Sequence, residues 1–134
     1  MSGLDEFGEI ARLFRPLTRG AAGAFDLMDD AAVVAQRPGY DLVITKDAIV
    51  EGVHFLDGED ATLIGRRLVR VNLSDLAAKG AEPFAAFVAV AWPSRFGETE
   101  RAAFAAGLGM DLKAAALACS STVRLRSSLG VGSR

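Results

Sequence analysis

The residues of this chain best suited to chemistry are aspartates set against apolar surroundings. Asp29 and Asp30 are adjacent in MDDAAVV, Asp47 interrupts DLVITKDAIVEGVHF, and Asp75 lies inside the helix-like pattern LVRVNLSDLAAKG. Carboxylates are hard oxygen donors suited to Mg2+, which is usually held by one or two carboxylates plus phosphate oxygens. A carboxylate removed from water is costly unless it is paired, hydrogen-bonded or bound to a metal. Several of them in so short a chain suggest one shared cation.

Each of these residues also has a plainer reading. Aspartate pairs in loops usually cap or turn the backbone, and Asp29-Asp30 fits that role before a strand. Asp47 sits among Val43, Ile44, Ala48, Ile49 and Val50, where aspartate is depleted, and reads either as a bulge facing solvent or as functional. Asp75 follows Asn72 and Ser74, and all three residue types favour caps at a helix break. His54, the only histidine, lies beyond a Gly52 hinge, seven residues after Asp47. It reads either as a structural residue beside Phe55 or as part of the same pocket. Glu51 reads as a solvated loop charge, and Lys46 as an outward lysine on an edge strand or a phosphate contact. Arg66, Arg67 and Arg70 lie on one helical turn, facing solvent or meeting phosphates. Neither GxxxxGK[ST] nor GxGxxG is present, so no common nucleotide loop supports an ATP site.

The elements that must position these residues follow from hydrophobic period. The chain has 134 residues, 51% of them hydrophobic and 24% charged, which suits one globular domain with a real core. A net charge of −2 advertises neither nucleic acid nor an anionic membrane. No apolar run reaches the roughly 18 residues needed to span a bilayer. Asp5, Glu6 and Glu9 stand where a signal peptide would be basic and then apolar. A single cysteine, Cys119, excludes an intramolecular disulfide. These features predict a soluble, cytoplasmic protein.

Leu4, Phe7, Ile10, Ala11 and Phe14 predict an amphipathic helix over 4–14, stopped by Pro16. Residues 31–36 and 40–50 read as strands around the turn Arg37-Pro38-Gly39, able to form a hairpin. Residues 61–79 read as a helix capped by Gly80. The apolar run 84–92 reads as a strand buried on both faces or packed in a subunit interface. Residues 98–118 read as an Ala-rich helix. The order implies an α/β or α+β fold, with helices on one face of a small mixed sheet. From about residue 119 the stretch SSTVRLRSSLGVGSR has no clear period, and it is not expected to pack as the next buried strand.

Taken together, DEFGEIARLF, MDDAAVV, TKDAIVEGVHF and VNLSDLAAKGAEP resemble the N-terminal domain of thiamine-monophosphate kinases, up to about residue 118. The pairing of TKDAIVEGVHF with NLSDLAAKGA is the most specific part. The wider superfamily is that of aminoimidazole ribonucleotide synthetase. The resemblance implies transfer of the γ-phosphoryl of ATP to thiamine monophosphate, with several Mg2+ ions and ATP as co-substrate. It implies a barrel-like dimer core, hence a homodimer, and a larger C-terminal domain that normally follows. By position, Asp30, Asp47 and Asp75 correspond to Mg2+ ligands, with Thr45 and Asp29 assisting, and His54 to a contact with the thiamine phosphate. No residue corresponds to a covalent nucleophile. Phosphoryl transfer needs mainly positioning and charge neutralisation, which suits an acidic chain with bound Mg2+.

The chain departs from the family pattern in places. Met28 stands where glycine is usual, and Lys46 where a hydroxyl residue is common. Cys119-Ser120-Ser121-Thr122 stands where a GGDT-like segment with a metal-binding aspartate is expected. The expected division is therefore 1–118 as N-terminal domain and 119–134 as a truncated or frame-shifted tail, with the C-terminal domain absent. A Mg2+–phosphate binding or dimerisation module without turnover is the alternative, as is another ATP-dependent enzyme of the superfamily.

Overall fold

The computed structural model describes residues 5–35, 37–115 and, for the backbone, 118–124. Its centre is a pair of helices lying against two parallel strands. Helix α1 is short, Glu6–Glu9, and is opened by Asp5, whose carboxylate accepts the Gly8 N–H at 2.8 Å. The chain then widens into a π turn over Ile10–Phe14 and tightens into a 3₁₀ turn over Arg15–Thr18. Pro16 therefore does not stop the helix as expected. It sits in the first turn of the 3₁₀ segment, where a missing N–H costs nothing. A further short helical stretch, Ala22–Leu27, follows and is kinked at Phe25 and Asp26, whose backbone angles are not those of a right-handed helix.

Helix α2 spans Ala61–Ala78 and helix α3 spans Glu98–Ala114, close to the expected ranges. Asp60 caps α2 by accepting the Thr62 N–H at 2.7 Å. Gly80, at φ +68°, supplies the left-handed residue that ends it. The two helices cross closely because each offers a glycine there. A Cβ on Gly65 would lie 2.3 Å from the Phe104 carbonyl oxygen, and one on Gly107 would lie 2.0 Å from that of Thr62. Ile64 and Val69 of α2 and Phe104, Leu108 and Leu112 of α3 form the core of this layer. Each such side chain contributes about 1.5–3 kcal/mol by leaving water.

Strand β1, Ala85–Val90, pairs in parallel with β2, Ala118–Arg124, and α3 is the crossover such a pair requires. Val88 and Val90 face the core while Phe87 is 61% exposed. Within this chain, then, β1 buries one face rather than two. The strand at Ala118–Arg124 also corrects the expectation that the sequence after 118 does not continue the sheet. Parallel pairing with β1 satisfies its backbone without demanding a periodic apolar pattern. The rest of that stretch, from residue 125, lies outside the described residues.

Two expected strands are not formed. Residues 31–35 and 40–50 are irregular, and among the described residues no hairpin joins them. The β-branched residues at 43–50 favour an extended backbone, but a strand needs a neighbour for its N–H and C=O groups. Among the described residues none is aligned beside it. Among the described residues the sheet consists of two parallel strands.

Candidate functional site

Asp75 lies within the last turns of an unbroken α2, so it caps no helix break. Its Oδ2 accepts a hydrogen bond from the Thr45 hydroxyl at 3.1 Å. This bond ties the 40–50 segment to α2 across thirty residues of sequence. Asp47 is exposed two residues further on. Asp29 accepts the Ala31 N–H at 3.4 Å, a weak form of the turn contact its sequence suggested, and Asp30 is exposed. The chain reaches this aspartate pair through Phe25, Asp26 and Leu27, at φ 48°, 53° and 57°. Non-glycine residues in the left-handed region carry strain. Arg15 holds the turn, donating to the Asp26 carbonyl at 2.9 Å and to the Met28 sulfur at 3.0 Å. Met28 itself has an ordinary φ of −95°, so the unusual backbone falls just before it.

Among the described residues, no three His, Cys, Asp or Glu side chains come together as a metal would require. The structure thus joins Thr45 to Asp75 but does not gather Asp30, Asp47 and Asp75 into one cluster. Bare carboxylates repel one another. The donors do fit a hard cation in kind. A hydroxyl and a carboxylate oxygen meet at a solvent-open face, as suits Mg2+ that keeps several waters.

His54 sits on a turn over 50–59. Its N–H and that of Val53 bond the Val50 carbonyl at 2.8 and 3.2 Å, and the Gly52 N–H bonds the Phe55 carbonyl at 2.8 Å. The Val50 N–H donates to His54 Nδ1 at 3.0 Å. A neutral ring accepting at Nδ1 carries its proton on Nε2. Phe55 is buried and anchors the turn. Arg67 of α2 donates to the His54 carbonyl at 2.8 Å and pairs with Glu59. The Glu59 carboxylate also accepts the Leu56 N–H at 3.2 Å. The Arg67 hydrogen bond holds the Glu59 carboxyl below its ordinary pKa, against a partial desolvation that raises it. On the opposite side Arg95 binds Glu51 at 2.6 Å and Asp57 at 2.7 Å. Glu51 is therefore an ion-pair partner rather than a merely solvated charge.

The arginines of α2 are also engaged. Arg66 and Arg70 reach the buried Asp111 of α3 at 3.3 and 2.6 Å. Sequence reasoning missed Asp111, although it interrupts an apolar helix just as Asp75 does. It also missed Glu59 and Arg95, which lie in loops themselves and so carry no periodic signal.

Comparison with known proteins gives the family. Residues 28–122 match the family described as AIR synthase related protein, N-terminal domain. The chain is 61% identical over 106 residues to a thiamine-monophosphate kinase of Caulobacter vibrioides, covering 79% of this chain and 30% of that relative. It is 41% identical over 92 residues to one from Synechococcus elongatus, covering 68% of this chain and 28% of the relative. A thiamine-monophosphate kinase of Bacillus subtilis is 32% identical over 106 residues, covering 78% of this chain and 33% of its own length. The chain thus spans about a third or less of the relatives it matches.

Proposed function

Since the chain belongs to the AIR synthase related proteins through their N-terminal domain, we propose that it is the metal- and phosphate-binding part of a thiamine-monophosphate kinase. The reaction is transfer of the γ-phosphoryl of ATP to thiamine monophosphate, in the cytoplasm. The names of its relatives support the substrate. The observation that carries the reading is the Thr45–Asp75 hydrogen bond at 3.1 Å, which brings a hydroxyl and a carboxylate from two family motifs to one face.

In this reading Asp30, Asp47 and Asp75 hold Mg2+, with Asp29 and Thr45 assisting. Mg2+ held there would supply charge neutralisation for the substrate phosphates. The chain's own residues position: Thr45 fixes the Asp75 carboxylate, and His54 offers Nε2–H to the thiamine phosphate. No side chain acts as a covalent nucleophile. Residues 1–118 form the N-terminal domain, and 119–134 mark where the sequence leaves the family pattern. The exposed apolar side chains of 40–50, with Phe84 and Phe87, support a homodimer with a barrel-like core.

The test is thermal melting with and without Mg2+, because a ligand that binds only the native state raises its stability. Mg2+ should raise the Tm of the wild type, and less so that of Asp75→Asn and Asp47→Asn. Equal responses in all three overturn the ligand assignment. A second reading, a Mg2+–phosphate binding or dimerisation module without turnover, is favoured by Cys119-Ser120-Ser121-Thr122 at the place of an expected aspartate. Incubation of the protein with thiamine monophosphate, ATP and Mg2+ decides between the two.

A further inference from the structure

We propose that Arg67 is a positioning residue that sets the orientation of the His54 ring. The proposal deepens the reading of His54 as a phosphate contact and rests on it. His54 is exposed, so packing does not lock its side chain. The ring is oriented by the bond from the Val50 N–H to Nδ1 at 3.0 Å. That bond holds only while the backbone at 50 and 54 keeps its register, which is a property of the turn.

Arg67 fixes that register from outside. One end of its guanidinium donates to the His54 carbonyl at 2.8 Å, and the other pairs with Glu59, which in turn accepts the Leu56 N–H at 3.2 Å. A single planar group therefore ties position 54 to positions 56 and 59. Its platform is rigid, because Arg67 rises from α2 between the buried Gly65 and Val69. The guanidinium is a fixed fork, which a lysine ammonium cannot reproduce at two acceptors. Arg95 binds the side chains of Glu51 and Asp57 on the other flank. With Nδ1 occupied, Nε2–H is the donor left for a phosphate monoester. Arg67 acts through it without touching the ligand.

The experiment is NMR on the full chain, where His54 gives the only imidazole signals. The wild type should show an unprotonated Nδ1 with a protonated Nε2, and a protected Val50 amide. In Arg67→Ala, exchange at Val50 should rise about tenfold or more, the scale of a lost hydrogen bond to a charged group. The ring nitrogens should move toward tautomer-averaged shifts while the Leu108 and Leu112 amides of α3 stay unchanged. Arg67→Lys, which keeps the charge and stem, should show a smaller loss, and it serves if the alanine variant does not fold. Unchanged ring and Val50 signals in whichever variants fold overturn the role of Arg67. Titration with thiamine monophosphate and Mg2+ separates the two layers. Wild-type ring signals indifferent to that ligand, with Arg67→Ala still disturbing them, overturn the His54 reading and leave the role of Arg67 in the turn supported.

Discussion

The α2–α3 pair and the segment over 28–50 are both rich in apolar residues, yet one closes on itself and the other does not. In the helix pair, Gly65 and Gly107 let the backbones touch, and Asp111 is met by two arginines. Among the described residues, no buried side-chain polar atom lacks a hydrogen-bond partner. In the other region Leu42 is 65% exposed and Ile44 79%. Scattered bonds hold it, such as those from Val33 N–H to Gly23, from Arg15 to the Met28 sulfur and from Thr45 to Asp75. A helix satisfies its backbone internally, whereas a strand depends on a neighbour. Apolar pattern thus says which segments seek burial but not what covers them.

The largest effect should come from a polar group on the closed side. Glu9 is only 4% exposed, and its carboxylate accepts from Trp92 Nε1 at 2.7 Å and from Arg101 at 2.6 Å. Trp92 stacks on Phe14 and meets Phe104 edge-on, so this carboxylate binds the N-terminal segment to α3. Removing one partner of a buried pair strands the other, at about 3–5 kcal/mol. Glu9→Ala should lower denaturant stability by that amount, with a change in Trp92 fluorescence. A loss under about 1 kcal/mol, the level of an exposed pair, would place the network on the surface side of the comparison.

The open side should behave in the opposite way. Ile44→Thr removes an exposed side chain and should change the stability of dilute protein by no more than about 0.5 kcal/mol. If a second copy covers 40–50, the same change should weaken association roughly tenfold through lost apolar burial. Light scattering and melting across a concentration series check both parts. A large loss of stability in dilute protein would mean that 40–50 is already packed within the chain.

Helices α2 and α3 and strand β1 were legible because their apolar runs are long, and Gly80 marked the end of α2. The N-terminal helix was less so. Phe7 was read as part of the apolar face, yet it is 74% exposed, while Glu9, outside that apolar pattern, is buried. The π turn over Ile10–Phe14 changes the residues per turn, and so the face that meets the core. Of the site, the sequence placed Thr45 and Asp75 in recognisable motifs, and the structure bonds them. The turn around His54 was legible only at Gly52. Its arginine clamps join residues eight to forty-four positions apart, beyond any local pattern.

The smallest expected effect lies in the turn that leads from the open segment into α2, at Glu59 and Arg67. The guanidinium hydrogen bond lowers the Glu59 pKa, with further help from the Leu56 N–H and the charge of Arg67. A carboxyl whose pKa is lower in the folded state contributes stability above its unfolded value. It loses that contribution as pH falls through the folded value. The clamp on the turn should therefore be whole at neutral pH and loosen only below the ordinary carboxylate range. The pair is open to water, so global melting should scarcely register the change. The Leu56 amide, bonded directly to this carboxylate, is the sensitive probe. Its chemical shift should titrate with a midpoint below the ordinary glutamate value in the wild type. In Arg67→Ala the midpoint should return toward that value. Equal midpoints in both proteins would mean that Arg67 does not hold Glu59 in solution and is tied to the turn through the His54 carbonyl instead.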